Sequence, residues 1–208
     1  MSYDSFIKKY HKQISAISLI MIVVGVMFIL GGMQTRTQIK EPDIPEESIA
    51  PVVLGYGLPR STPVRIRIPS IGVDTYFVGL GIAANKEIQV PRGFEEVGWY
   101  INGPTPGEIG PSVILGHVDS YMGPAVFFGL GQLEIGDRIE VDREDGKTAI
   151  FQVDKIERYP QSDFPTSLVY GDIDYAGIRL ITCSGSFDAQ LQRYDSNLIV
   201  YGSLIGEE

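Results

Sequence analysis

The sequence holds one cysteine, Cys183, and two histidines, His11 and His117. A thiol is a nucleophile only as thiolate, and a free thiol with a pKa near ~8.5 holds little thiolate at neutral pH. An imidazole beside it takes that proton, or returns it to a leaving group. Cys and His far apart in sequence and adjacent in the fold are the arrangement expected of a cysteine acyl-transfer enzyme. Cys183 closes the apolar run Ile178-Arg179-Leu180-Ile181-Thr182 and precedes a small, polar stretch, Ser184-Gly185-Ser186. His117 closes a second such run, Val113-Ile114-Leu115-Gly116. Each has a plainer reading: a buried inert thiol, since free cysteine is among the most buried residue types, and a satisfied histidine. The two plain readings weaken together, because His117 is the one histidine downstream of the N-terminal apolar segment.

Acyl transfer also needs a group for the developing oxyanion. Arg193 is the one basic residue after Cys183 and just precedes the last strand candidate. If that strand pairs with the cysteine strand, its permanent charge and several donors reach the thiol region. The plainer reading is a solvated turn arginine.

The elements that must position these groups are short. Val64–Ile68 alternates apolar and polar residues, as a half-buried strand does. Further strand candidates are 75–80, 87–90, 112–118, 138–141, 148–156, 178–182 and 197–204. Turn signals Gly136-Asp137, Asp145-Gly146 and Tyr175-Ala176-Gly177 separate them, and 123–130 forms a short helix opened by Pro124. Eight short strands predict an all-β domain, a small closed barrel with short helices; pattern alone leaves a sandwich open.

Composition narrows the chemistry. A net charge of −9 argues against nucleic acid, which needs a basic stripe. One cysteine forbids an internal disulfide, and no Cys/His cluster offers a metal site, so neither metal nor cofactor is expected. With no Cys-x-x-Cys and no resolving cysteine, redox chemistry is a poor fit.

Residues 14–33, ISAISLIMIVVGVMFILGGM, carry no charge. At ~1.5 Å per residue they cross the ~30 Å of a bilayer core. The run is longer than a signal-peptide core and no A-x-A site follows, so it reads as an uncleaved anchor in membrane lipid. Lys8, Lys9 and Lys12 precede it, which favours a cytoplasmic tail at 1–13 and an exported C-terminal domain. Residues 34–62, rich in Pro, Glu and Ser, read as an extended linker. The domain then spans 63–208.

At its chemical residues the sequence resembles the sortases. Their pattern is T-L-x-T-C, an arginine about ten residues on, and a histidine far upstream. Here it is Leu180-Ile181-Thr182-Cys183, Arg193 and His117, with Arg179 in place of the leading threonine. The blocks GHVDSYMGPAVFFGL and LITCSGSFD look most like the class F-type branch. VGWYINGPTPGEIG (97–110), FPTSLVYG (164–171) and NLIVYG (197–202) support it, so the resemblance covers about residues 63–204. It implies an eight-stranded barrel on a single-pass membrane anchor. It implies cleavage of a C-terminal sorting signal, often Leu-Pro-x-Thr-Gly, between Thr and Gly. Cys183 attacks the Thr carbonyl; His117 protonates the leaving amine and deprotonates the incoming one; Arg193 stabilises the oxyanion or holds the substrate backbone. The partners implied are surface proteins bearing that signal, and an amine on peptidoglycan precursor or a pilin lysine. Thr182 is a supporting residue; Asp119 either orients His117 or solvates its loop. The competing reading is an inactive sortase-like binding or assembly module, against which stands the presence of all three catalytic residue types.

Overall fold

The computed structural model describes residues 56–208. The tail at 1–13, the apolar run at 14–33 and the linker up to residue 55 lie outside the described residues. Among the described residues no helix is long and apolar enough to cross a membrane.

Eight strands close into a barrel in the order β1 (Pro63–Ile68), β2 (Val73–Leu80), β3 (Val97–Tyr100), β4 (Gly110–Leu115), β9 (Ala176–Asp188), β10 (Arg193–Glu207), β8 (Thr148–Pro160) and β7 (Arg138–Arg143), with β7 returning to β1. A small ribbon, β5 (Asp119–Ser120) with β6 (Gly123–Pro124), stands beside it. The expected closed barrel is thus observed. The pairs β2–β3 and β4–β9 run parallel, and all other barrel pairs run antiparallel.

Strand alternation sorts the side chains into two apolar layers. Ile66, Ile68, Ile114, Ile139, Val141, Phe151, Ile178, Leu180 and Val200 fill the barrel with Phe127 and Leu130. The residues between them on β4, β9 and β10 face outward: Val113, Ile181, Ile199 and Tyr201 form a second cluster with Val169 of the helix α1 (Thr166–Tyr170). At roughly 25 cal/mol per Å² of apolar surface, the filled barrel is the main favourable term in this fold, and the outer layer adds a second buried face.

Three expectations are corrected. Residues 87–90 are not a strand; a single bridge, Ile82–Ile88, marks this segment. The eighth strand is Val97–Tyr100, whose run Val-Gly-Trp-Tyr is covered on both faces and therefore does not alternate. Helix after Pro124 is delayed: 3₁₀ turns span Phe128–Gln132, because Gly123–Pro124 pairs with Asp119–Ser120.

The chain is tied to the barrel before β1 begins. The Leu58 amide donates to Gly107 O at 2.7 Å, and Leu58 is buried. Arg143 is buried and donates to the carbonyls of Pro59 and Pro106, so one guanidinium joins two loops to the barrel wall.

Candidate active site

Cys183 lies within β9, with five more strand residues after it, and not at the end of a strand as its sequence context suggests. Gly185 carries the reason: its φ of +87° sits where the β9–β10 register slips, so this glycine marks a bulge inside a continuing strand. Cys183 shares the outward face with Ile181, and Asn197 lies opposite it on β10. Thr182 and Ser184 face the barrel interior. Both are buried, and their hydroxyls find no hydrogen-bond partner among the described residues.

His117 reaches the same place along β4. The parallel β4–β9 register pairs Leu115 with Ile181, and the Gly116 amide continues it by donating to Ile181 O at 3.1 Å. His117 lies two residues past Leu115, and Cys183 two residues past Ile181, so this register directs both toward the same end of the sheet. The imidazole is held by the loop before β3: Nε2 is 2.8 Å from Pro91 O, and the Phe94 ring lies 4.9 Å from it, centroid to centroid. A carbonyl only accepts, so Nε2 carries a proton. Nδ1 is then the ring atom left for proton transfer.

Arg193 does not join them directly. Its strand does pair with the cysteine strand, yet Arg193 sits opposite Asp188, four residues along β10 from Asn197. That is roughly 13 Å of extended strand, more than an arginine side chain bridges. Its side chain is exposed and lines a hollow of about 220 Å³ with Gln161, Asp188 and Tyr194.

Asp119 is the charged group that acts on the thiol. Burial pushes the Cys183 thiol above its ordinary value, and the Asp119 carboxylate pushes it further. Asp119 is itself engaged by Tyr194, whose phenol donates to Oδ2; that contact lifts the phenol to about 12. Tyr194 and Asn197 had no signal of their own in the sequence beyond adjacency to Arg193 and to the last strand.

A groove of about 780 Å³ lies over the outer face of the sheet. Ile82, Ile88, Tyr100, Leu115, Phe164 and Tyr170 give it apolar walls, Lys86, Glu87, Gln161 and Thr166 add polar ones, and Asn197, the cross-strand neighbour of Cys183, also lines it. Arg179 is buried, its guanidinium 4.9 Å from the Tyr201 ring centroid, donating to Ile178 O at 3.0 Å and to Leu168 O of α1 at 3.5 Å. The residue that departs from the expected Thr thus fastens the helix that carries Tyr170. Among the described residues no cluster of metal ligands occurs.

A thiol on β9, an imidazole just past β4 and a groove lined by the thiol's cross-strand neighbour Asn197 suit acyl transfer from an extended peptide. The family profile of the sortase domain matches residues 66–205. Among solved structures, the chain is similar to a sortase D5 transpeptidase of Clostridium perfringens (22% identity, 70% of this chain and 79% of that one, TM-score 0.52). It is similar also to sortase C-1 of Actinomyces oris (24%, 69% and 71%, 0.53) and to sortase A of Listeria monocytogenes (16%, 72% and 90%, 0.53). At these identities the likeness is one of fold. No curated protein matches the chain significantly.

Proposed function

The chain belongs to the sortase family of cysteine transpeptidases, and on that premise we propose that Cys183 and His117 form its catalytic pair, with Arg193 holding the bound peptide. The observation that supports this reading is the β4–β9 register, which pairs Leu115 with Ile181, two residues before the domain's one histidine and two before its one cysteine.

The groove takes a C-terminal sorting signal of the Leu-Pro-x-Thr-Gly kind in extended form. The apolar walls accept the Leu-Pro end, and the Thr carbonyl lies over Cys183. Because the thiol is held protonated, its proton passes to Nδ1 of His117 as the carbonyl arrives. The sulfur bonds to the Thr carbon, and the Thr–Gly bond breaks with His117 giving a proton to the departing glycine amine. An incoming amine then attacks the thioester. It forms the new amide, loses its proton to His117, and releases the Cys183 sulfur. Peptidoglycan precursor or a pilin lysine supplies that amine; water in its place gives hydrolysis. The position of Arg193 on the hairpin favours a hold on the peptide over contact with the oxyanion.

The apolar segment at 14–33 anchors the enzyme in the cell membrane, N-terminus inside, with the barrel outside where its substrates emerge. The likeness of its histidine and cysteine blocks to the class F-type branch supports assigning it there.

The test is to incubate the full-length chain with a Leu-Pro-x-Thr-Gly peptide and an added amine, and to follow products by mass spectrometry. Amine-captured product from the native chain, absent from Cys183→Ala and His117→Ala, is expected. No turnover, with Cys183 inert to alkylation in the folded chain, would overturn the enzyme reading of this site in favour of a binding or assembly module.

A further inference from the structure

The β9–β10 hairpin and the ribbon after His117 are separate in sequence and meet through one hydrogen bond. Tyr194, at the start of β10, stacks on its cross-strand partner Phe187 with centroids 5.2 Å apart. From there its phenol crosses to the carboxylate of Asp119 on β5, 75 residues away in sequence. Asp119 lies two residues from His117 and close enough to Cys183 to act on its thiol. The titratable groups around that thiol are His117 on the continuation of β4, Asp119 on β5 and Tyr194 on β10. His117 Nε2 is held by Pro91 O, and the Asp119 carboxylate accepts from the Tyr194 phenol.

A bare carboxylate beside a nucleophilic cysteine is a liability. It repels the thiolate that the reaction must form, and it competes for the imidazole proton. A phenol donating to it places the positive end of an O–H dipole against the charge and fixes the direction in which the carboxylate points. We propose that Tyr194 is a positioning residue of the active site: it binds the Asp119 carboxylate, keeping it off His117 and screening its charge from Cys183. This deepens the transpeptidase reading and rests on it. Tyr194 itself transfers no proton and touches no reacting atom; it acts through Asp119.

The experiment measures the alkylation rate of Cys183 by iodoacetamide in the full-length chain across pH 6 to 11, for the native chain, Tyr194→Phe, Asp119→Asn and the double variant. Loss of the phenol should expose the carboxylate, move the alkylation profile to higher pH, and slow alkylation at pH 8 about threefold. Asp119→Asn should move the profile to lower pH and speed the reaction by at least as much. In the double variant the effect of Tyr194→Phe should vanish. An unchanged profile in Tyr194→Phe, or the same slowing in the Asp119→Asn background, would overturn the proposal. Should Tyr194→Phe fail to fold, Asp119→Asn alone decides: a profile identical to the native one would overturn it. Alkylation needs no peptide, so a chain without turnover would fail the transpeptidase reading while these profiles could still be read.

Discussion

Asn197 lies directly opposite Cys183 in the antiparallel β9–β10 ladder, and it also lines the groove on the outer face of the sheet. An amide there places no charge near a sulfur that must become negative. Asn197→Asp adds a second carboxylate to a thiol already raised by Asp119, and a like charge favours the protonated form further. Alkylation of Cys183 at pH 8 is expected to slow several-fold, with the profile moved to higher pH. An unchanged profile would place the Asn197 side chain away from the sulfur.

Arg193 gives a second prediction, on the peptide. A guanidinium that grips an extended backbone uses several donors in a fixed plane, which an ammonium does not reproduce. Arg193→Lys is therefore expected to raise KM for the sorting peptide about tenfold, with single-turnover acylation at saturating peptide reduced much less. The converse, an intact KM with kcat lower by a factor on the order of 10²–10³, would assign Arg193 to the oxyanion.

The parts of this site that were legible in sequence are those fixed by local pattern. Apolar runs that stop at one polar group singled out Cys183 and His117, because strands that fill a barrel are apolar where they line its interior. What escaped depends on register. Gly185 reads as a turn, and only the pairing of β9 with β10 shows it to be a bulge that lets the strand run on to Asp188. The same register sets Arg193 opposite Asp188 and Tyr194 within reach of Asp119, distances that no spacing in the sequence encodes. Residues 87–90 alternate as a strand should, yet Gln89 spends its amide and its side chain on Gly81, so the segment folds back on itself. Val97–Tyr100 was missed for the opposite reason: neighbours on both sides remove the polar half of the pattern.

Acid should weaken the β1–β7 seam of the barrel. The Arg67 guanidinium bonds to Asp142 and to Glu140, and Thr148 Oγ1 donates to Asp142 at 2.8 Å. Arg67 holds the Asp142 carboxyl below its ordinary value of 3.8. A carboxyl lowered by folding contributes stability that is present above the unfolded value and is lost as pH falls through the folded one. Urea unfolding of the native chain should therefore show stability declining as pH drops below about 4. Asp142→Asn should be less stable than the native chain at pH 6 and should show a shallower decline below pH 4. Equal slopes for the two chains would mean that the pair contributes nothing measurable to the acid limb.

Gly116 joins β4, whose Ile114 fills the barrel, to the proposed catalytic histidine His117, and it has no room for a side chain. A Cβ added there would lie 2.5 Å from Cδ2 of Phe127, a ring buried completely in the barrel end. Either the ring shifts, or the backbone at 116 moves outward and takes His117 with it. Forcing one methyl into a filled core costs about 1–3 kcal/mol, so Gly116→Ala should melt a few degrees lower while remaining folded at 25 °C. Transpeptidation should fall much further than that loss of stability accounts for, because the displaced group is the imidazole. Peptide KM should change little, since the groove walls at Tyr100, Phe164 and Tyr170 do not rest on Phe127. Restoring space with Gly116→Ala/Phe127→Leu should recover both stability and turnover if the clash is the cause. Recovery of stability without turnover would show instead that the methyl disturbs His117 directly.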